Sequence, residues 1–207
     1  MKHNLISRLA AAMLLLCVIP QAFAAVTAAS IMDGLRAKFA TSKNVEILFT
    51  LRNGSENVTG SAYASGACFF FETPQLNVWY DGKTQWAMMR GTGEVNITEP
   101  TAEELASTNP FAILSDYSRS YKTRRLADSV GMHRVELTPI AKNSGISKII
   151  VSASIKTGNP DAVSVVFTDG RTINLKVDSF KTVPAKPAAF YRYDKKKYPA
   201  TDIIDLR

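Results

Sequence analysis

The stretch Asn77-Val-Trp-Tyr-Asp-Gly-Lys-Thr-Gln-Trp-Ala-Met-Met89 places Asp81-Gly82 between two flanks rich in aromatic residues. This arrangement is among the strongest short-range signals of a β-hairpin, because Asp and Gly both suit the backbone of a two-residue turn. The sequence therefore predicts two antiparallel strands that meet at a two-residue loop.

The register of this predicted hairpin determines which side chains share a face. With Asp81-Gly82 as the loop, Trp79 lies opposite Thr84, and opposed residues project from the same side of a sheet. We therefore expect Trp79, Trp86 and Met88 on one face. The other face carries Val78, Tyr80, Lys83 and Gln85, a set that suits solvent or the rim of a sheet better.

Strand-like segments separated by turn signals lie on both sides of the hairpin. Upstream, apolar residues occupy alternate positions from Val45 to Leu51, which is the two-residue period of a half-buried strand. Further strands are predicted at residues 58–64, 67–72, 122–126, 132–139, 148–156, 162–167, 172–177 and 190–193. Strands joined by such tight turns predict an antiparallel sheet.

Helical patterns occur in two places. Apolar residues recur every four positions over 31–39, which predicts an amphipathic helix over residues 27–41 that starts near Thr27 to Ser30. Between strands, Thr101-Ala-Glu-Glu104 has the pattern of a capping box at a helix start. Residues 111–117 predict another short helix, so short helices are expected to interrupt the run of strands.

The first 24 residues have the pattern of a secretory signal peptide. Lys2 and Arg8 form a positive front, residues 9–19 an apolar stretch, and Ala22-Phe23-Ala24 a cleavage signal. The apolar stretch is shorter than the ~20 residues that a membrane-spanning helix needs. We therefore expect export, cleavage after residue 24, and a single soluble domain over residues 25–207.

The net charge of the chain bears on whether it binds nucleic acid. The chain has 25 Lys plus Arg against 18 Asp plus Glu, a formal net charge of +7 that falls to +5 without Lys2 and Arg8. Nucleic-acid binding favours basic side chains clustered on one element with aromatic residues between them, and the tight basic run here is Lys195-Lys196-Lys197. A mildly basic, solvated surface is therefore the better interpretation, and no nucleic acid is expected as a partner.

The sequence lacks the residue patterns of common catalytic and metal sites. Beyond the signal peptide it contains one histidine, His133, and one cysteine, Cys68. These two cannot supply the usual zinc ligand sets, and nothing around His133 resembles a nucleophile elbow. We therefore predict no enzymatic activity, no metal and no cofactor, with Cys68 as a buried and inert thiol.

Apolar residues of the hairpin and of the helical region leave two interpretations open. Trp79, Trp86, Met88, Phe111 and Leu114 could form a closed core, as most such residues do. Alternatively, a concave sheet closed by short helices could leave an apolar cavity lined by these side chains. The residues by themselves do not choose between the two.

The order of the motifs resembles a known family. After the leader and the first helix come P-x-L-x-V-W-Y-D-G-K-T-Q-W (74–86), E-V-N-I-T-E-P-T (94–101), N-P-F-A-I-L (109–114) and F-Y-R-Y-D (190–194). This order resembles the periplasmic lipoprotein carrier family, LolA, from Ile31 to Ile204.

The resemblance implies both a fold and a function. The fold is an incomplete antiparallel β-barrel, or half-barrel, with an N-terminal helix and a helical lid over an apolar cavity. The function is that of a monomeric periplasmic carrier, which takes acylated lipoproteins from an inner-membrane lipoprotein-releasing transporter and passes them to an outer-membrane acceptor. The cavity-wall candidates are Phe49, Trp79, Trp86 and Met88, and the lid candidates are Leu105, Phe111, Ile113 and Leu114.

One departure from the family concerns the latch of the lid. Better-known members have an Arg-Pro pair in a loop after an early strand, and its arginine helps to hold the lid. Here that loop is shortened to Ala64-Ser-Gly-Ala67, although Arg52 and Arg90 lie nearby in the sequence. A lipid-sensing or envelope-stress binding module on the same fold is the alternative function, and a secreted hydrolase is a more distant one.

Overall fold

The computed structural model describes residues 25–39, 44–101, 104–105, 113–200 and 202–207, so the predicted signal peptide lies outside the described residues. The elements are α1 (Ala28–Lys38), β1 (Asn44–Asn53), β2 (Glu56–Ser65), β3 (Cys68–Glu72), β4 (Leu76–Tyr80), β5 (Gln85–Met89), β6 (Glu94–Thr98), α2 (Ile113–Ser120), β7 (Tyr121–Ser129), β8 (Met132–Pro139), β9 (Ile146–Ser154), β10 (Pro160–Phe167), β11 (Thr172–Val183), a 3-10 helix (Ala188–Tyr191) and β12 (Asp202–Asp205).

The twelve described strands form one sheet in the order β12-β6-β5-β4-β3-β2-β1-β11-β10-β9-β8-β7. Neighbouring strands pair antiparallel, apart from β12, which pairs with β6 in parallel. The sheet is open, because β12 and β7 form its two ends. The prediction of a mainly β fold on an antiparallel sheet, preceded by a helix, is confirmed, while β6 and β12 are additional to the predicted strands.

Helix α1 begins where the sequence predicts. Thr27 is the N-cap: its Oγ1 accepts a hydrogen bond from the backbone N–H of Ser30, and Ser30 Oγ accepts one from the N–H of Thr27, each at 3.0 Å. This capping box satisfies two of the backbone donors that a helix start leaves free. Ile31, Met32 and Leu35 then form the buried side of the helix.

The hairpin at residues 77–89 forms, but in a different register from the one predicted. Trp79 pairs directly with Trp86, so residues 81–84 make a four-residue connection in place of a two-residue loop. The predicted register is therefore wrong by two residues. Because two residues are one period of a strand, Trp79, Trp86 and Met88 still share a face, as predicted.

The side chain of Asp81 explains the longer connection. Its Oδ1 accepts hydrogen bonds from the backbone N–H groups of Lys83 (3.1 Å) and Thr84 (2.9 Å), and the N–H of Asp81 donates to the carbonyl oxygen of Thr84 (3.2 Å). Asp is suited to such turns because its carboxylate reaches backbone donors two and three residues ahead. These bonds stabilise a wider turn than the Asp-Gly pair alone predicts.

Helices α1 and α2 pack on one side of the sheet, the helix-covered face. Its buried core includes Ile31, Met32, Leu35, Ile47, Phe49, Phe71, Ile113, Tyr117, Val135, Ile149, Val163 and Leu175. Val78 (0% exposed) and Tyr80 (8%) belong to the same core. The prediction that their face suits solvent or a rim is wrong, because both side chains are buried in the core that the sheet shares with the two helices.

The C-terminal strap, residues 184–200, crosses the opposite side of the sheet, the strap face. It contains the 3-10 helix Ala188–Tyr191 where the sequence predicted a strand. Tyr191 Oη donates a hydrogen bond to Asn44 Oδ1 (2.8 Å), and burial raises the pKa of Tyr191 to about 12. Arg192 Nε lies 2.9 Å from Asp81 Oδ2, so the strap is joined to β1 and to the hairpin turn.

Helix length bears on the question of membrane anchoring. In the described part of the chain, no helix is both long and apolar enough to cross a bilayer.

Candidate functional site

Phe49, the first predicted wall residue, lies within the core of the helix-covered face. Its side chain is 1% exposed. The ring stacks on that of Phe71, with centroids 5.1 Å apart and planes inclined by 3°. Phe49 therefore stands on the side of the sheet that the helices pack against, where the cavity was predicted.

Trp79, Trp86 and Met88 lie on the strap face instead. Trp79 is 3% exposed, and its ring centroid lies 4.9 Å from that of Tyr198 in the strap. The four predicted residues therefore do not form one wall, since the sheet separates Phe49 from the other three. Consecutive side chains of a strand alternate between faces, and both sets are apolar here, so the hairpin alone could not show which set meets the helices.

An aromatic row runs across the strap face. Tyr63, Phe70, Trp79 and Trp86 stand side by side on β2, β3, β4 and β5. The ring of Phe190 lies edge-on to Tyr63 and to Phe70, with both centroid separations 5.4 Å. Aromatic pairs in this geometry stabilise beyond the area they bury. The row therefore acts as the binding surface for the strap, a role that the sequence patterns did not predict.

The predicted lid residues are only partly within the described chain. Leu105 is half-buried and packs against the core of the helix-covered face, and Ile113, at the start of α2, is 5% exposed in the same core. Phe111 lies outside the described residues. Leu114 belongs to α2, but its side chain is likewise outside the description. Leu105 and Ile113 thus stand on the same side of the sheet as Phe49.

The capping box before Leu105 forms as predicted. Glu104 Oε2 accepts a hydrogen bond from the backbone N–H of Thr101 (2.7 Å), and Thr101 Oγ1 accepts one from the N–H of Glu104 (3.3 Å). The hydrogen bonds from the Thr101 backbone and hydroxyl hold the pKa of Glu104 below its usual value. The box fixes the start of the helical turn that presents Leu105 to the core.

The interior next to these residues is mostly apolar, with one notable polar exception. Val78 and Phe71 are buried on β4 and β3, and Ala87 on β5 packs against the same core. Gln85, on the same face of β5, is 9% exposed, and its Oε1 has no hydrogen-bond partner among the described residues. A buried carbonyl without a donor is costly, so this oxygen is available to a ligand that carries an N–H or O–H group.

A family model described as "Outer membrane lipoprotein carrier protein LolA" matches residues 28–170. The chain belongs to the LolA family. The match runs from α1 to the turn between β10 and β11, so β11, the strap and β12 lie beyond it. No curated protein sequence matches the chain at a significant level.

Solved structures resemble this chain at low sequence identity. An uncharacterised conserved protein from Thermus thermophilus is 15% identical with a TM-score of 0.58, over 86% of this chain and 98% of the other. A LolA superfamily protein from Nitrosomonas europaea is 11% identical with a TM-score of 0.46, over 82% and 99%. MucB in the Pseudomonas aeruginosa MucA/MucB complex is 10% identical with a TM-score of 0.42, over 82% and 62%.

The contacts of Arg52 and Arg90 bear on the arginine latch that the family resemblance implies. Arg52 Nε donates to Asn57 Oδ1 (3.0 Å), and Arg90 Nη1 donates to the carbonyl oxygen of Thr73 (3.4 Å). Both bonds join residues of the sheet and its turns, and neither reaches Leu105. In this LolA-family protein, apolar packing of Leu105 and the Thr101–Glu104 capping box are among the contacts that hold the Leu105 segment.

His133 and Cys68 are the histidine and the cysteine beyond the predicted signal peptide, and neither has the surroundings of a catalytic residue among the residues that the structure describes. His133 Nδ1 lies 3.1 Å from Arg125 Nη2 and 3.2 Å from Asp128 Oδ1, in a small cluster at one end of the sheet. Burial raises the pKa of the Cys68 thiol, which makes it a weaker nucleophile at neutral pH. No group of three metal-ligating side chains occurs within the described ranges.

Proposed function

We propose that this protein is a carrier that shields the acyl chains of lipoproteins on the helix-covered face of its sheet. The observation that carries the proposal is that a family match and a structural feature occur in the same chain. A chain that matches the lipoprotein carrier family closes one apolar sheet face with short helical segments, and not with a second sheet. Short segments can move away from the core at lower cost than a whole second sheet, since a smaller unit gives up fewer packing contacts when it opens.

The physical need for such a carrier follows from the hydrophobic effect. Transfer of a lipid chain from an apolar site into water costs about 0.8 kcal/mol per methylene group. A lipoprotein anchor with several acyl chains therefore cannot cross an aqueous compartment unshielded. We infer that the protein is exported to the periplasm, that it receives cargo from an inner-membrane transporter and that it delivers cargo to an outer-membrane acceptor.

The proposed site differs from the wall predicted from the sequence. Phe49 remains a wall residue, and Phe71, Val78 and Ala87 replace Trp79, Trp86 and Met88, which lie on the strap face. Leu105 and Ile113 remain the lid residues. Displacement of the lid would expose an apolar surface to the acyl chains. The free Oε1 of Gln85 would then accept a hydrogen bond from an amide N–H of the acylated N-terminus.

A binding assay with a fluorescent, triacylated cysteine peptide tests the proposal. Residues 25–207 should bind the peptide, and Leu105→Asp should weaken binding about tenfold or more, because a charge replaces a leucine at the apolar site. Leu48→Asp is the matched control, since Leu48 is 45% exposed on the strap face. Thermal melts of both variants establish that the fold persists.

The identity of the natural cargo separates the carrier from the alternative on the same fold. Mass spectrometry of the protein purified from its native envelope should detect covalently acylated polypeptides. Free phospholipid as the sole bound species would favour a lipid-sensing module instead. If the wild-type protein binds neither the triacylated peptide nor any lipid, the proposed function is wrong.

A further inference from the structure

Basic side chains from five strands lie together on the half of the sheet that the strap does not cross. The basic face is Arg52 on β1, Lys122 and Arg124 on β7, Arg134 on β8, Lys148 on β9 and Lys176 on β11. Their strand neighbours, such as Val135, Ile149 and Leu175, point into the core on the other side. The strand register therefore assembles a basic surface from residues that are scattered in the sequence.

Few carboxylates balance this surface. Glu136 lies 2.8 Å from Arg124, and Asp178 lies 3.5 Å from Lys176 and accepts a hydrogen bond from Thr50 Oγ1 (2.7 Å). Asp161 sits at the bulge between β9 and β10. The six cations thus exceed the three carboxylates. Arg124 and Lys176 are exposed even though they are paired, at 68% and 71%, and Arg52 and Lys122 are exposed as well, so positive charge is available to a partner.

An apolar tip lies at the end of the same strands. Val130, in the β7–β8 turn, is 95% exposed and has a φ of 45°. Ile155, in the β9–β10 turn, is 48% exposed, and its N–H donates to the carbonyl oxygen of Gly131 (2.9 Å), which holds the two turns together. Val26 is 46% exposed beside them, and its carbonyl accepts a hydrogen bond from Arg125.

The backbone at Val130 is unfavourable for the residue that occupies it. A β-branched side chain at positive φ is strained, and Gly or Asn would suit the turn better. Full exposure also means that this valine gains nothing from the core. A strained and exposed aliphatic residue next to a second one points to a role outside the folded chain, in contact with something apolar.

We propose that the apolar tip and the basic face together dock this protein on an anionic phospholipid bilayer. Val26, Val130 and Ile155 would enter the boundary between headgroups and acyl chains, while the cations face the lipid phosphates. Each basic residue near an anionic membrane contributes about 1 kcal/mol, and apolar insertion adds to it. A protein partner fits less well, because three aliphatic side chains on turns fall far short of the ~1,200 Å² of a stable interface.

Vesicle co-sedimentation of the unloaded protein tests this docking surface independently of any cargo. Residues 25–207 should bind vesicles of phosphatidylcholine plus phosphatidylglycerol and leave pure phosphatidylcholine vesicles largely unbound. High salt should weaken the binding, because it screens exposed charges. Equal binding to both kinds of vesicle, or none to either, would overturn the proposal.

Two variants address the two parts of the surface. The double variant Arg134→Gln with Lys148→Gln should lower partitioning about fivefold per cation removed, the ratio that ~1 kcal/mol corresponds to. Val130→Asn should also lower partitioning while the melting temperature stays equal or rises, because Asn tolerates positive φ. Lys195→Gln with Lys196→Gln, on the strap, is the matched control. If both test variants bind vesicles like this control, the surface is assigned wrongly. If the protein is retained on acidic polypeptide beads but does not bind vesicles, the partner is a protein, and the proposed membrane docking is contradicted as well.

Discussion

The ring of Phe49 occupies the space that a side chain on residue 60 would need. A Cβ atom added to Gly60 would lie 2.4 Å from Cζ of Phe49 and 2.5 Å from the carbonyl oxygen of Glu72. Gly60 pairs with Phe49 across β1 and β2, so the close approach is built into the sheet. The absence of a side chain there lets the ring lie flat on the strand and reach Phe71 in the core.

Gly60→Ala should therefore destabilise the protein by about 1–3 kcal/mol, the usual cost of an overpacked core. Urea titration measures the change in the free energy of unfolding. Gly34→Ala is the control, since nothing lies within 4 Å of a Cβ at that helical position and Ala favours helix over Gly. A Gly60→Ala variant as stable as the wild type would show that the ring and the Glu72 carbonyl can move aside.

The two tryptophans of the aromatic row should differ in their contribution to stability. Trp79 is 3% exposed and contacts Phe70 and two tyrosines of the strap, so Trp79→Ala should cost about 3–5 kcal/mol. Trp86 is half-buried at the end of the row, and Trp86→Ala should cost less. Denaturant titrations of both variants measure the difference.

Neither tryptophan is expected to contribute to acyl binding, because both lie on the strap face. Trp86→Ala should bind the triacylated peptide as tightly as the wild type. Weaker binding by a stable Trp86→Ala variant would return the cargo site to the strap face and contradict the proposed site.

The contact between Asp81 and Arg192 should make stability depend on pH in the acid range. Burial alone would raise the pKa of Asp81, but hydrogen bonds from the Thr84 and Lys83 backbone and the guanidinium of Arg192 lower it overall. A carboxyl with a depressed pKa stabilises the fold above its unfolded pKa of about 4, and this contribution is lost as the pH falls through the folded pKa. Asp81→Asn should therefore flatten the decline of stability below about pH 4.

Arg192→Gln separates the contribution of the strap to the acid dependence of stability from the contribution of the turn's own hydrogen bonds. This variant keeps the backbone hydrogen bonds to Asp81 and removes only the cation. We expect an intermediate acid dependence, measured by urea titration across the pH range. Identical profiles for Asp81→Asn and the wild type would show that other carboxylates determine acid stability.

The N-cap of α1 offers a test of the local folding signal. Thr27→Ala removes the hydroxyl that accepts from Ser30 N–H and should cost about 1 kcal/mol, whereas Thr27→Asn keeps an acceptor and should cost much less. Thermal or urea unfolding of the two variants gives the comparison. Equal losses from both substitutions would mean that the hydroxyl contributes through some other contact.

Local patterns in the sequence predicted much of the fold. The capped start of α1, the box at Thr101 and Glu104, and the alternation along β1 all depend on residues a few positions apart, and each forms as expected. The hairpin turn shows the limit of such signals. Asp81 supports a four-residue connection with its own side chain, and this alternative lies outside the rule for Asp-Gly pairs.

The candidate site was predicted less well, for a reason visible in β4. Val78 and Trp79 are neighbours on this strand, both are apolar, and they point to opposite sides of the sheet. Because large aromatic side chains are the stronger signal for a binding site, the sequence pattern favoured the face of Trp79. That face is instead closed by the strap, which lies far along the chain from β4.

The sequence by itself determined most of the strand segments, the capped helix starts and which hairpin residues share a face, because hydrogen bonds and side-chain alternation act over a few residues. Only the tertiary structure decided which part of the chain covers each face of the sheet. The helices buried the face of Phe49 and Val78, and the strap buried the face of Trp79. An apolar face is buried by whatever part of the chain reaches it, and the order of twelve strands, which also gathers the basic face, is a long-range property that no local pattern encodes.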